Sequence, residues 1–268
     1  MKKLLFLTLF SLLSISLSAQ ILWKDNLSQA KNLSLISGKL ILLDFYADWC
    51  GPCKLMDREL WSSPEMKLLT DLFIPVRVNV DFNRETALDY DVNVIPKVVL
   101  ALCNGEMVWE MTGFSTSSDY IKVMKSLPVN LNRLFAQVVA LSTKDPDAYL
   151  KTGIELQKTG KTISDKGLKE SFLSLAKQKL RFAEKQTKDP KIKQQAQLYS
   201  ILVDVTSGNF KKAQKEIEKG TFYQNDPDIA DLVHFILAGC YKGLKDDQNY
   251  EKEKVLVKNA ELLTQLNE

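Results

Sequence analysis

Residues 39–54, KLILLDFYADWCGPCK, carry the main evidence for the fold. The first eight are almost continuously apolar, as expected for a strand that is buried on both faces of a sheet. Cys50 and Cys53 follow with two residues between them, and the segment up to Trp61 has helical character. The cysteine pair is therefore predicted at the point where a buried strand passes into a helix.

Around this stretch, from residue 21 to about 127, strand-like and helix-like segments alternate, which is typical of an α/β domain. Asn104-Gly105 separates two apolar segments and predicts a β-hairpin, because both residues tolerate positive φ. In chain order, the other expected elements are a helix over 26–37, a helix starting at Ser63-Pro64, a strand over 74–80, and helices over 84–90 and 117–127.

Beyond residue 128 glycine and proline become scarce, and Lys, Glu, Gln, Ala and Leu dominate with helical spacing. We therefore predict an α/β domain over 20–128 and a helical domain over 129–268. The expected helices cover 130–142, 146–158, 165–187, 191–206, 210–219, 227–243 and 248–265.

Two turns in this second region resemble those of tetratricopeptide-type helical hairpins. Ser207-Gly208-Asn209 separates two amphipathic segments, and Asn249-Tyr250 repeats the pattern loosely 40 residues later. Because that spacing exceeds the usual period of about 34 residues, we predict helical hairpins and not a regular array. Stacked hairpins present a groove suited to a peptide or a partner protein. The alternative is a helical appendage that stabilises the first domain.

The amino terminus has the pattern of a signal peptide. Met1-Lys2-Lys3 is followed by an apolar run over 4–17 and by Ser18-Ala19, where cleavage is expected. An uncleaved anchor is the alternative, but the run is shorter than the roughly 20 residues that a spanning helix prefers. We therefore expect residues 1–19 to be removed, leaving a soluble exported or periplasmic protein. The net charge of +3, without a basic patch among aromatics, argues against a nucleic-acid partner.

The chain has four cysteines, too few for a disulfide-built scaffold. A Cys-x-x-Cys pair can also bind zinc, but there is no second pair, and the one histidine, His234, lies in a distant predicted helix. We therefore favour redox chemistry, with no cofactor beyond a Cys50–Cys53 disulfide. Cys103 and Cys240 are expected to be buried free thiols, and a bridge between them is the alternative.

The expected position of the pair suggests a role for each sulfur. At the start of a helix, unpaired amides and the helix dipole favour a thiolate on Cys50. That thiolate would attack a substrate disulfide, and Cys53, one turn further in and less exposed, would resolve the mixed disulfide.

The motif WCGPCK over residues 49–54 resembles the centre of the thioredoxin superfamily, and residues 43–50 also resemble the C-terminal domain of DsbD-type electron transporters. The resemblance implies a thioredoxin-like fold with a central mixed sheet flanked by helices, and the all-α domain of helical hairpins predicted above follows it. It also implies a buried carboxylate, Asp44, that accepts the proton of Cys53. The substrate-binding residues that it implies are Trp49, Gly51, Pro52, the cis-proline pair Ile95-Pro96, and Gly113.

Three residues depart from the family pattern. Lys97 follows the proline where threonine is common, Val94 stands where many members have glycine, and Arg77 falls where the family often carries a lysine near the buried carboxylate.

The resemblance implies an enzyme that reduces disulfides in exported proteins, with electrons from a membrane protein of the DsbD or CcdA type. One alternative is an oxidase or isomerase in oxidative folding. Another is a binding protein whose helical domain recruits partners while the thioredoxin-like domain serves as a scaffold.

Overall fold

A computed structural model describes residues 21–222 and 225–267 of the chain. The predicted signal peptide, residues 1–19, lies outside the described residues. Four strands form one sheet in the order β2-β1-β3-β4, and the predicted mixed sheet is confirmed. β1 is parallel to β2 and antiparallel to β3, which is antiparallel to β4. The strands are β1 (Leu40–Tyr46), β2 (Phe73–Asn79), β3 (Lys97–Ala101) and β4 (Met107–Thr112).

The strand directions bring four chain segments together at one edge of the sheet. The carboxyl ends of β1, β2 and β4 meet the amino end of β3 there. The cysteine pair follows β1 directly, and Pro96 immediately precedes β3. The topology therefore places these two candidate site elements side by side.

Five helices accompany the sheet, and their ends follow the local sequence. Asn26 caps the first helix by accepting a hydrogen bond from the Gln29 amide at 2.9 Å, and Gly38 ends it with a φ of 68°. The helix after the cysteines continues through one wider turn over Asp57–Trp61. The helices are α1 (Leu27–Ser37), α2 (Gly51–Met56), α3 (Pro64–Leu68), α4 (Arg84–Asp89) and α5 (Ser117–Lys125).

The predicted β3–β4 hairpin is present, but its turn differs from the expected one. Of the two residues predicted to take positive φ, Gly105 does so, with φ at 92°, and Asn104 does not. The Gly105 amide donates to the Leu102 carbonyl at 2.8 Å, and the Leu102 amide donates to the Glu106 carbonyl at 2.9 Å. The connection is therefore longer than two residues, with the glycine absorbing the reversal at its end.

The region after residue 128 is helical, as predicted. Its helices are α6 (Asn132–Ala140), α7 (Pro146–Thr162), α8 (Lys166–Gln186), α9 (Pro190–Thr206), α10 (Phe210–Lys219), α11 (Pro227–Leu244), α12 (Asp247–Lys254) and α13 (Ala260–Asn267). The prediction of a single helix over 248–265 is wrong. The chain breaks over 255–259, because Asp231 accepts the amides of Lys258 and Asn259, at 3.1 and 2.7 Å, and the Asn259 side chain caps a new helix.

Apolar packing is continuous between the sheet and the first helices of this region. One cluster of buried side chains includes Leu42 and Trp109 of the sheet together with Phe135 of α6 and Phe172 of α8. A second cluster joins α9 to α13 and includes Ile236. Lys179 of α8 also forms an ion pair with Glu106 beside β4. The early helices therefore pack directly on the sheet. Within the described ranges, no helix is long and apolar enough to cross a membrane.

Candidate redox site

Cys50 and Cys53 form a disulfide at the start of α2. Cys50 is the residue that caps this helix, and its Sγ accepts a hydrogen bond from the Cys53 amide at 3.1 Å. Gly51 and Pro52 form the first turn of the helix. Proline costs no hydrogen bond there, because the backbone amides of a first turn have no acceptor within the helix. An amide donor and the positive end of the helix both stabilise negative charge on the Cys50 sulfur once the disulfide is reduced.

The two cysteines are equally buried, each 3% exposed, so the prediction that Cys53 is less exposed is wrong for this oxidised state. The reason is that Ala47, Val80 and Ile95 pack against the pair as one cluster and cover both residues. Gly51 is exposed, and apart from its chain neighbours and the backbone of its own helix no atom lies within 4 Å of the position that a Cβ on it would occupy. The first turn of α2 is therefore open to solvent at Gly51.

Trp49 lies beside the disulfide and is 69% exposed. Its Nε1 donates a hydrogen bond to Oδ2 of Asp81 at 3.0 Å, which ties the cysteine loop to the end of β2. Asp81 was not identified from the sequence as a site residue. Its position just after the strand predicted over 74–80 could have indicated that it lies at the same sheet edge as the cysteine pair.

The Ile95–Pro96 peptide bond is cis. The carbonyl of Pro96 accepts the Gly113 amide at 2.7 Å, so the segments before β3 and after β4 are joined at the site edge. Gly113 has a φ of 80°, and apart from its chain neighbours no atom lies within 4 Å of a Cβ built on it. The space over Gly113 is therefore open, as a groove at this place would require.

Lys97, one of the departures from the family pattern, is buried at the start of β3 with 4% exposure. Its Nζ donates to the carbonyls of Tyr90 and Asp91, at 2.7 and 3.3 Å, and pairs with Glu110 at 2.7 Å. These contacts hold the segment that leads into Pro96. The sequence interpretation did not foresee this role, because all three partners are brought to Lys97 by the fold.

Asp44 lies in the middle of β1 and is 1% exposed. Burial raises the pKa of its carboxyl group from 3.8 to about 7; the positive charge of Arg77 opposes this rise, and the negative charge of Asp57 adds to it. A carboxyl group with such a pKa changes its protonation near neutral pH.

Arg77 links two carboxylates, those of Asp44 and Asp57. Its Nε lies 3.2 Å from Oδ2 of Asp44 without a well-aligned hydrogen bond, and its terminal nitrogen pairs with Asp57. The guanidinium also lies over the rings of Tyr46 and Trp23, 4.3 and 5.5 Å from their centres. Asp57 was missed from the sequence, although it stands four residues after Cys53 on the same helical run.

The remaining cysteines and the histidine lie apart from this pair. Cys103 and Cys240 are buried free thiols, so the possible bridge between them is not formed, and burial raises the pKa of each to about 11. His234 Nδ1 lies 2.7 Å from Glu253 Oε2 and joins α11 to α12. Across 21–222 and 225–267, no group of three or more His, Cys, Asp or Glu residues is placed to hold a metal ion.

The fold and the disulfide together define a thioredoxin-like redox domain, and comparisons with known proteins agree. The thioredoxin family model matches residues 23–126. The chain is 34% identical over 98 residues to thioredoxin of Mycobacterium bovis, covering 37% of this chain and 82% of that protein. It is 36% identical over 106 residues to Thioredoxin-T of Drosophila melanogaster, covering 38% of this chain and 61% of the fly protein.

The C-terminal domain of Neisseria meningitidis DsbD, solved in its reduced form, is a structural neighbour with a TM-score of 0.32 and 26% identity, covering 38% of this chain and 94% of that one. The chain belongs to the thioredoxin family. Its Cys-x-x-Cys pair supports thiol–disulfide oxidoreductase activity.

Proposed function

We propose that this protein reduces disulfide bonds in exported proteins. The observation that carries the proposal is the Cys50–Cys53 disulfide at the start of α2, with the Cys50 sulfur accepting a helix amide. This arrangement favours Cys50 as the attacking thiolate, because the same contacts stabilise its negative charge.

The reaction runs in two displacements. The Cys50 thiolate of the reduced protein attacks one sulfur of a substrate disulfide, and the other substrate sulfur leaves as a thiolate that takes up a proton. Cys53 then loses its proton and attacks the Cys50 sulfur, which releases the second substrate thiol and forms the Cys50–Cys53 disulfide. Two electrons pass from the protein dithiol to the substrate disulfide.

Asp44 is the proposed acceptor for the proton of Cys53. Its pKa of about 7 suits this role, because a general base works best when its pKa lies near the operating pH. Its burial in β1, six residues before Cys50, supports the proposal, because burial is what raises its pKa toward neutrality.

The substrate would bind over the residues that the family resemblance implies, namely Trp49, Gly51, Pro52, Ile95, Pro96 and Gly113. Two further large apolar side chains stand in the segments that flank this surface, namely Phe82 after β2, 82% exposed, and Val94 before Ile95, 58% exposed. Exposed apolar side chains grouped around a reactive disulfide support a protein substrate.

The direction of transfer and the location are proposed from the sequence. Gly51-Pro52 between the cysteines and isoleucine before the proline resemble reducing thioredoxins. The predicted signal peptide places the soluble protein outside the cytoplasm, where a membrane protein of the DsbD or CcdA type would supply electrons.

We further propose that residues 129–268 form a tetratricopeptide-like domain that recruits a peptide or protein partner, with the thioredoxin-like domain over 20–128. Successive helices in this region pack as close pairs. On α7, a Cβ at Gly153 would lie 2.6 Å from the Leu180 side chain of α8, so the two helices approach closely.

The decisive measurement is the reduction potential of Cys50–Cys53 in residues 20–268, equilibrated against thiol–disulfide buffers of known potential. A value near the roughly −270 mV of thioredoxin supports a reductase, and one near the roughly −120 to −180 mV of DsbA and protein disulfide isomerase supports an oxidase or isomerase instead.

A trapping experiment tests whether the chemistry is used at all. The Cys53→Ser variant should accumulate mixed disulfides with exported proteins in cells, whereas a Cys50→Ser control should not. If neither variant captures a partner, the thioredoxin-like domain serves as a scaffold.

A further inference from the structure

Asp57 begins the wider turn that continues α2, and its side chain belongs to a charge cluster that includes the buried Asp44. Asp57 Oδ1 accepts a hydrogen bond from a terminal nitrogen of Arg77, and Arg77 Nε lies 3.2 Å from Asp44 Oδ2. The side chain of Asp44 is 2% exposed, that of Arg77 is 25% exposed and that of Asp57 is 39% exposed. The three side chains therefore lead from the interior of the domain to its surface.

Arg77 does not divide its hydrogen bonds equally between the two carboxylates. Its Nε is poorly aligned with Asp44, so both Arg77 Nε and Asp44 Oδ2 are buried atoms without a hydrogen-bond partner in the part of the chain that the structure describes. The aligned hydrogen bond goes to Asp57 instead. A carboxylate oxygen that accepts no hydrogen bond is less stable as an anion, so this orientation of Arg77 favours the protonated form of Asp44.

Two aromatic rings hold the guanidinium group close to both carboxylates. Its central carbon lies 4.3 Å from the centre of the Tyr46 ring and 5.5 Å from that of Trp23. These cation–π contacts favour the position of the group but do not choose between the two carboxylates, because a guanidinium carries five N–H donors that point in different directions. The charged oxygen of Asp57 supplies the contact that selects the observed orientation.

The groups that face Asp44 come from three other elements of the domain. The charged ones are Arg77 of β2, which favours the ionised form of Asp44, and Asp57, which favours the protonated form. Trp61, at the end of the wider turn, is uncharged. Burial raises the pKa of the Tyr120 hydroxyl on α5 well above its usual range, so this group is neutral as well. Asp57 therefore opposes Arg77 through its charge as well as through its hydrogen bond.

We propose that Asp57 is a positioning residue that makes Asp44 a stronger proton acceptor, because it holds the aligned donor of Arg77 away from Asp44 and places a negative charge nearby. The inference rests on the proposed role of Asp44 in resolving the mixed disulfide. The proton still passes from the Cys53 thiol to Asp44, and Asp57 takes no part in the transfer itself.

Two substitutions separate the hydrogen bond from the charge. Asp57→Asn removes the charge but keeps an oxygen that can accept from Arg77, whereas Asp57→Ala removes both. The pKa of Asp44, about 7 in the parent, should fall by about 0.5 pH units in Asp57→Asn and by about one pH unit in Asp57→Ala, where Arg77 is free to donate to Asp44. Carbon-13 NMR of the aspartate carboxyl groups in oxidised residues 20–268 measures this pKa, and Asp44→Asn identifies the signal.

The pH dependence of the resolving step gives a second measurement. The rate at which Cys53 resolves a mixed disulfide on Cys50 should rise with pH about a midpoint, and this midpoint should move down together with the pKa of Asp44. Glu59→Gln is the matched control, because Glu59 is an exposed carboxylate on the same turn and is not among the groups that shift the pKa of Asp44. It should change both values by less than about 0.2 pH units. Urea unfolding checks that each variant is folded.

An unchanged pKa of Asp44 in Asp57→Ala would overturn the inference. Equal falls in Asp57→Asn and Asp57→Ala would overturn the role assigned to the orientation of Arg77. A lower pKa of Asp44 with an unchanged midpoint of the resolving step would support the effect of Asp57 on Asp44 and show that Asp44 is not the base in the reaction. The NMR measurement uses the oxidised protein and needs no turnover, so failure of this inference is separate from failure of the proposed function.

Discussion

Replacing Asp44 with asparagine should change how the stability of the protein depends on pH. In the folded chain the pKa of Asp44 is about 7, against 3.8 for an ordinary aspartate. Between these values the folded state holds one proton more than the unfolded state, so the free energy of unfolding falls as pH rises through this range and is constant above it. A shift of about three pKa units corresponds to about 4 kcal/mol.

Asparagine cannot titrate, so Asp44→Asn should lose this slope. The variant should resemble the parent near pH 4 and exceed its stability above pH 7 by up to about 4 kcal/mol, a figure that already includes the attraction between Asp44 and Arg77, because that attraction is part of the shifted pKa. Urea unfolding of both oxidised proteins from pH 4 to pH 8.5 gives the difference, in which the other titrating groups cancel. Parallel stability curves for the two proteins would refute the assigned burial effect. Asp57→Asn removes a negative charge that adds to the rise of the Asp44 pKa, so this variant should keep the slope and have it end at a lower pH.

The same variant separates a catalytic role from a structural one. If Asp44 accepts the proton of Cys53, the asparagine variant should resolve its mixed disulfide about 10²-fold more slowly, while the first attack by Cys50 changes less. Rapid quenching of the reaction with a disulfide-containing peptide measures the lifetime of the mixed disulfide. A changed stability profile with an unchanged lifetime would show that Asp44 is a buried structural carboxylate.

Three further outcomes follow from the packing. Lys179→Met should destabilise the protein by about 1–2 kcal/mol in urea unfolding, because Glu106 loses its partner. Gly153→Ala should lower the free energy of unfolding by about 1–3 kcal/mol, because the added methyl group overcrowds the contact of α7 with α8. At an uncrowded helical position the same substitution would raise stability, because alanine has the higher helix propensity. An increase in stability would therefore contradict the 2.6 Å approach to Leu180. The thiols of Cys103 and Cys240, with pKa values near 11, should resist iodoacetamide at pH 8 in the folded chain, and mass spectrometry should find both labelled after denaturation.

The sequence predicted those parts of the site that depend on local pattern. The strand before Cys50, the helix start at the cysteines and the cap at Ser63 each follow from a few neighbouring residues, and the structure has all three. Contacts that depend on the tertiary fold were not predictable in this way. Arg77 meets Asp57 because β2 lies beside β1 while α2 folds back over the sheet, and no spacing in the chain encodes that meeting.

The errors also have local causes. Residues 255–259 keep enough helical character to suggest one long helix, and the break is produced by Asp231, which lies on α11 and supplies acceptors for the amides there. In the hairpin, Asn104 tolerates positive φ but does not need it, because Gly105 alone reverses the chain after an ordinary turn. In both places the pattern allowed more than one backbone path, and a specific hydrogen bond selected one.

Composition places a boundary near residue 128, whereas the apolar core runs across it. β4 is an edge strand of the sheet. The unpaired backbone amides of an exposed edge strand can pair with a strand of another chain, and the packing of α8 against β4 disfavours such aggregation. Beyond α8 the continuity passes through α9, whose residues Ala196 and Val203 belong to the first cluster while Leu198 and Leu202 belong to the second. The change in composition therefore marks where strands stop, and α9 connects the second cluster to the redox domain.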